Sequence, residues 1–135
     1  MKVEINLDKR KLDRLGLSAA GVLETIIGTA AHDIANDIVL SFGTSPNGRR
    51  YGRHIASRPG YPPNIDTGAL RASIKAVRKG RYVWWVQDGV PYGIELELGR
   101  ERTAPRPFMR PMIELWRRQR MRELAERVKR GLGVS

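Results

Sequence analysis

Apolar positions along the chain change period several times, and each change marks an element. Val3, Ile5 and Leu7 alternate with polar neighbours, which predicts a short edge strand. "DKRKLDRLG" reads as a brief helical turn closing at Gly16, and Ser18 is placed to cap the next helix. From there Ala19, Val22, Leu23, Ile26, Ile27, Ala30, Ile34, Ile38 and Val39 keep the three-and-four spacing of one helix face. Asp33, Asn36 and Asp37 occupy the other side. The pattern predicts a long helix over 18–41, stopped by Gly43. Gly21 and Gly28 lie inside it, where a closely packed neighbour is one reason to accept glycine.

Residues 43–68 carry five glycines and four prolines and show no period, so they read as an extended loop. Arg49, Arg50, Arg53 and Arg58 are interleaved there with Tyr51, His54 and Tyr61. Such a loop is expected to be mobile when free and to be ordered by a partner. Residues 69–88 read as a β-hairpin. Leu70, Ser73, Lys75 and Val77 give one weak period of two, Tyr82, Trp84 and Val86 another, and "RKGR" the turn. Val83 and Trp85 fall on the opposite face from Tyr82 and Trp84, so one apolar face should pack on the long helix and the other is offered to a second subunit.

After "YGIELELG" come Pro105, Pro107 and Pro111, bracketing Arg106, Phe108 and Arg110. Arg106 and Arg110 each precede a proline, which pushes them away from α geometry and makes the segment stiff and extended. Proline suits a first helical position, so the last helix is expected over 111–130. Its apolar stripe is Met112, Leu115, Trp116, Leu124 and Val128, interrupted by "RRQR" at 117–120. Phe108 reads as an anchor onto the core, with Pro107, Pro111, Tyr92 and Gly68 as further structural positions. Arg106 and Arg110 read as cations that pair with acids such as Glu97, in the same subunit or the next. The expected architecture is α+β: a long N-terminal amphipathic helix and a C-terminal helix packed on a small antiparallel sheet, in one domain over 1–135.

Charge sharpens the picture. The formal net charge is +11, distributed as −1 over 1–46, +8 over 47–82, −3 over 83–97 and +7 over 98–135. Two basic blocks flanking a short acidic, aromatic one point to an acidic partner, either nucleic acid or a negative protein surface. The acidic block and the terminal basic block also form a candidate complementary pair between subunits. Interface candidates are therefore Trp84, Trp85, Glu95, Glu97, Arg106, Arg110, Arg117 and Arg118, and the loop candidates for DNA or a partner are Arg49, Arg50, Tyr51, Arg53, Arg58 and Tyr61.

Catalytic chemistry finds little support. There are no cysteines, which removes thiol nucleophiles and zinc ribbons and suits a reducing compartment. No apolar h-region opens the chain, and no apolar run approaches the ~20 residues of a membrane span. His32 has Asn36, not a ligand, at i+4. "GTSPNGRR" lacks the Lys and hydroxyl of a phosphate loop. Glu95 and Glu97 lie too close on one segment to flank a sugar, and Ser73 and Thr67 have no evident histidine base. The sequence predicts no enzyme, no cofactor and no metal.

Three blocks in order, "PPNIDTGALRASI" (62–74), "YGIELELG" (92–99) and "APRPFMRPMIE" (104–114), resemble the small neck, or tail-completion, proteins of tailed bacteriophages, which join head to tail. The matching positions are Pro63, Thr67, Gly68, Leu70, Ser73, Ile74, Tyr92, Gly93, Glu97, Gly99, Arg106, Pro107, Phe108 and Pro111. Arg100 stands where that family has threonine, and the loop at 43–61 is longer and more basic. The resemblance implies a virion protein assembled in the host cytoplasm as a homo-oligomeric ring, commonly six-fold. Its partners would be connector or stopper proteins, tail terminator or tail tube proteins, and DNA passing through the lumen. A tail terminator ring protein and a basic nucleic-acid-binding domain are the alternative readings.

Overall fold

The computed structural model describes residues 1–7, 10, 20–131 and 133. The cap at Ser18 and, residue 10 apart, the helical turn expected before it lie outside the described residues. The architecture is α+β. Strand β1 (Lys2–Asn6) pairs antiparallel with β5 (Val83–Gln87), which pairs antiparallel with β4 (Lys75–Gly80), giving the order β1-β5-β4. Helix α1 (Ala20–Ser41) crosses one face of this sheet. A terminal helix packs on α1. It runs as α4 (Met109–Leu115), a π-helical turn (Trp116–Arg120) and α5 (Met121–Gly131). Between these lie a two-stranded ribbon of β2 (Asn47–Tyr51) and β3 (His54–Ser57), and two short helices, α2 (Ala69–Ser73) and α3 (Gly93–Leu98).

The period-two alternation sorts the sheet into two faces. Cross-strand partners share a face, so Val3, Ile5, Ala76, Arg78, Trp84 and Val86 look towards α1. Val86 is fully buried against Ala30, Ile34, Ala35 and Ile38 of α1, with Phe108, Met109 and Trp116 closing the core. Trp84 lies across Gly28, where a built Cβ would come within 2.9 Å of its Cζ2. That explains one helix glycine. Gly21 meets no described residue within 4 Å, so the described residues give no such explanation there. On the outer face the Trp85 ring is covered by its own chain: Lys2 Nζ sits 3.2 Å and Lys79 Nζ 4.6 Å from the ring centroid, and the indole N–H donates to Glu4 at 3.1 Å.

Glu24 of α1 ties the helix to the β4–β5 turn. It accepts from Arg78 Nε and Nη2 at 3.3 and 3.2 Å and from the Tyr82 N–H at 2.6 Å. Tyr82 has φ 62°, a left-handed backbone that a bulky aromatic rarely adopts. Burial of its ring beside Leu23 and the bond to Glu24 hold it there. Arg78 is the largest influence lowering the Glu24 pKa, and Glu24 in turn raises that of Arg78.

Four expectations are corrected. The segment 43–68 is not a structureless loop, because it contains the β2–β3 ribbon, turned at Gly52 (φ 62°) and Arg53. The hairpin does not begin at residue 69: residues 69–73 form α2, and the strands start at Lys75. The terminal helix begins at Met109, so Pro111 is its third residue, where an N–H is still not needed. Leu115 is exposed and leaves the buried stripe.

The π turn falls where "RRQR" interrupts the apolar pattern. In an unbroken α-helix Leu124 would stand about 80° round from Trp116. One extra residue in a π turn makes those eight steps count as seven, and about 700° returns Leu124 to the same face. Leu124 packs on the core behind Trp116, and Val128 packs on Leu23 and Tyr82. Asp37 fixes the junction by accepting the Trp116 indole N–H at 2.9 Å, with Arg120 3.7 Å away and its guanidinium over the same ring.

Candidate partner-binding site

The three motif blocks are far apart in sequence and meet in one place. The second and third are joined by Glu97, on the inward face of α3 and almost fully buried. Its carboxylate accepts three backbone N–H groups at the start of α4: Phe108 and Met109 on Oε2 at 2.8 and 3.0 Å, and Arg110 on Oε1 at 2.8 Å. Phe108 at the cap position offers no side-chain acceptor, so the orphan donors of the helix end are satisfied from eleven residues upstream. The negative charge also complements the positive end of the helix. The expected pairing of Glu97 with the Arg106 and Arg110 side chains is therefore corrected. Arg110 is helical despite preceding Pro111, because its own N–H belongs to this cap.

The two glycines of the middle block are set by close approach. A Cβ on Gly93 would lie 2.6 Å from both carboxyl oxygens of Asp88. Gly99 has φ 79°, and a Cβ there would meet Pro105 Cδ and the Thr103 carbonyl at 2.9 Å. Arg100 takes part in a tight turn with Thr103, bonded both ways at 2.9 and 2.8 Å, and its guanidinium pairs with Glu95 at 2.9 Å. Glu95 is thus ion-paired within its own chain.

Beside the Glu97 cap lies a cleft of about 530 Å³, in the size range of small-ligand and peptide pockets. Six motif positions line it: Pro63, Thr67, Gly68, Leu70, Tyr92 and Arg106. Its floor includes Phe42, Ala56 and Leu96, and Tyr51 stands at its edge. Ser57 also lines it, with a buried hydroxyl that has no hydrogen-bond partner among the described residues. Arg106 is half-buried. Its N–H donates to the Leu96 carbonyl at 2.6 Å and its Nε to the Ser57 carbonyl at 3.1 Å, so it holds α3 and β3 together. His54 and Asp66, on the same wall, approach to 3.8 Å.

Asp88 is the least settled charge. Its side chain is buried and, among the described residues, neither oxygen has a well-aligned hydrogen-bond partner; the Val90 N–H and the Met1 α-amino group, 3.8 Å away, give it partial support. Burial pushes its pKa above the ordinary 3.8, the amino group partly offsets this, and the nearby Glu97 adds to the rise. Glu4, exposed on the sheet's outer face, is held below the ordinary value, by its bond from Asn6 first and from Trp85 second.

The remaining predicted residues are spread over three surfaces. Trp84 faces α1, not solvent. Phe108 is buried as expected, and edge-on to Phe42 at 5.6 Å. Pro107 is half-buried and Tyr92 and Pro111 are exposed. Arg117 and Arg118 are exposed on the terminal helix and form no ion pair with a described residue. Arg49, Arg50, Tyr51, Arg53, Arg58 and Tyr61 are exposed on or beside the β2–β3 ribbon, and none of them bonds to Glu97. The acidic block at 83–97 is not a free acidic face, because Asp88 and Glu97 are buried and Glu95 is paired. Sequence reasoning missed two features. One is the capping role of Glu97, whose only signal was a helix start lacking Ser, Thr, Asp or Asn at its cap. The other is the exposed pair Ile94 and Leu98, at i and i+4 on the outer side of α3, which are 50% and 68% exposed.

Among the described residues no group of His, Asp and Glu is placed to hold a metal, and no helix is long and apolar enough to cross a membrane. Comparison with protein-family models, curated proteins and solved structures finds no match to this chain.

Proposed function

We propose that this chain is a structural virion protein of the head–tail neck of a tailed bacteriophage, a head–tail joining or tail-completion protein that assembles as a ring between connector and tail. The observation that carries the reading is the convergence of the three motif blocks on one unit, the Glu97 cap and its adjoining cleft. Residues scattered over 62–111 come together there, which supports reading the three blocks as parts of one unit. Two surface properties support assembly over catalysis. Ile94 and Leu98 form an apolar pair left exposed by the described residues, beside the exposed 100–103 turn. Full burial of a Leu or Ile side chain is worth about 1.5–3 kcal/mol, so a second copy seated on α3 would gain from covering them. With the acids of 83–97 engaged internally, Arg117 and Arg118 look outward for a carboxylate on another molecule. A ring uses one patch against a different patch on the next copy, which fits these separate surfaces.

Sedimentation velocity and negative-stain microscopy test the proposal, on the protein alone and mixed with connector and tail proteins of the same virus. Closed rings, six-fold by expectation, should form in one of these conditions. Ile94→Asp with Leu98→Asp, both at exposed sites, should leave the fold intact and prevent ring formation. A chain that stays monomeric at high concentration and associates with neither partner refutes the reading.

A further inference from the structure

Strand β2 is exposed at all five positions. A two-stranded hairpin is marginal by itself, and a strand with neither face buried gains nothing from the hydrophobic effect. Its partner β3 supplies the attachment, since Ala56 and Ser57 are buried in the body of the protein. The ribbon is thus anchored along one strand and presents the other.

What it presents is a single chemistry. Arg49 and Arg50 lie on β2 and Arg53 in the two-residue turn at the tip, with Arg58 just beyond β3. None forms an ion pair with a described residue; Arg58 Nε donates to the Asn47 carbonyl at 3.3 Å, and Arg49 lies over the Tyr51 ring at 5.5 Å. Asp66, on the supporting wall, faces His54 at 3.8 Å and borders the same shallow groove as Arg53 without pairing with it. All four cations are arginine, whose rigid fork of donors matches phosphate oxygens.

We propose that the β2–β3 ribbon is a DNA-binding element that enters the major groove of a duplex and holds its phosphates through Arg49, Arg50 and Arg53. The dimensions agree. Two strands lie about 4.8 Å apart, and the major groove, about 12 Å wide, admits a two-stranded ribbon. The narrow Gly52–Arg53 tip leads the ribbon in, and the flanking arginines then stand at the groove walls. The contacts fall on backbone phosphates, so binding is independent of sequence. This function is separate from ring assembly, which uses α3 and the terminal helix.

The experiment measures affinity for a fluorescent duplex of arbitrary sequence between 50 and 200 mM salt, with a single strand of equal phosphate count as comparison. Three phosphate contacts give a slope of log K against log salt of about −2.7, or roughly 40-fold weakening over that range. The variant Arg49→Ala, Arg50→Ala, Arg53→Ala should keep the wild-type circular dichroism and melting temperature and flatten the slope by between 2 and 3, on the order of one per arginine. Three outcomes overturn the inference: no duplex binding by the wild-type protein at 50 mM salt, an unchanged slope in the triple variant, or single-strand binding as tight as duplex binding. Loss of association with connector or tail proteins in the triple variant, without any effect on DNA, would assign the ribbon to a protein partner instead and equally overturn it.

Discussion

Replacing Glu97 tests the arrangement on which the motif blocks depend. Glu97→Ala leaves the Phe108 and Met109 N–H groups buried without acceptors and the Arg110 N–H partly so. An unsatisfied buried donor costs about 1–3 kcal/mol, and the lost charge at the helix end adds about 0.3–1 kcal/mol. Access of water to the vacated space recovers part of this, so the expected loss is about 3–5 kcal/mol. Domains of this kind are stable by about 5–15 kcal/mol, so the variant should be marginal. Glu97→Gln is the finer probe. Its one amide oxygen can keep the two bonds to Phe108 and Met109, but its NH₂ then meets the Arg110 N–H, donor against donor. The loss should be about 2 kcal/mol. The assay is urea unfolding followed by tryptophan fluorescence, at one fixed protein concentration so that assembly does not shift the midpoint. If both variants lose less than about 1 kcal/mol, the carboxylate is not the cap and the convergence of the blocks has no energetic meaning.

Other substitutions probe separate parts of the fold. Asp88 has a folded-state pKa above its unfolded value, so its contribution favours the folded state when protonated and turns against it as pH rises from about 4 towards neutrality. Asp88→Asn should therefore gain on the wild-type protein over that window in pH-dependent unfolding, and a constant difference between the two curves would contradict the reasoning. Gly28→Ala should destabilise by about 1–2 kcal/mol by crowding Trp84, despite alanine's better helix propensity, whereas Gly21→Ala, with no described residue within 4 Å of the added methyl, should be neutral or gain up to about 1 kcal/mol in thermal melts. Arg106→Ala should cost about 1–2 kcal/mol in urea unfolding by releasing the Ser57 carbonyl, while Arg117→Ala with Arg118→Ala should stay within about 0.5 kcal/mol of wild type and weaken assembly in sedimentation.

The parts of the fold legible in the sequence are those in which burial imposes a period. Leu23, Ile27, Ala30, Ile34 and Ile38 fix α1 because the helix has one buried side, and Trp84 and Val86 fix β5 because the sheet has one. The ribbon was illegible for the converse reason: with every β2 residue in solvent, no alternation is written into "NGRRY". Helix α2 was misread because the period of two carried by Ser73, Lys75 and Val77 was extended back to Leu70, which stands three residues before Ser73, and none of the helix's residues is fully buried to mark it. The candidate site was legible as three blocks but not as one object. A carboxylate capping a helix eleven residues away is a tertiary bond, and local spacing suggested an ion pair with the adjacent arginines instead. The charge blocks misled in the same way, since the net charge of 83–97 counts two carboxylates that never reach the surface.

The π turn between Trp116 and Arg120 leaves the terminal helix tolerant of a change in length that an ordinary helix could not absorb. Deleting one residue among Arg117, Arg118 and Gln119 lets the wide turn close into a normal one, and Leu124 and Val128 stay over Leu23, Tyr82 and the core. The same deletion a turn later swings Val128 by about 100° into solvent and brings a charged neighbour inward. The helix therefore carries a slack residue at one defined point. Related chains that differ in length by one residue there would share this fold, whereas those that differ by one elsewhere in the helix would have to rebuild its seam with α1.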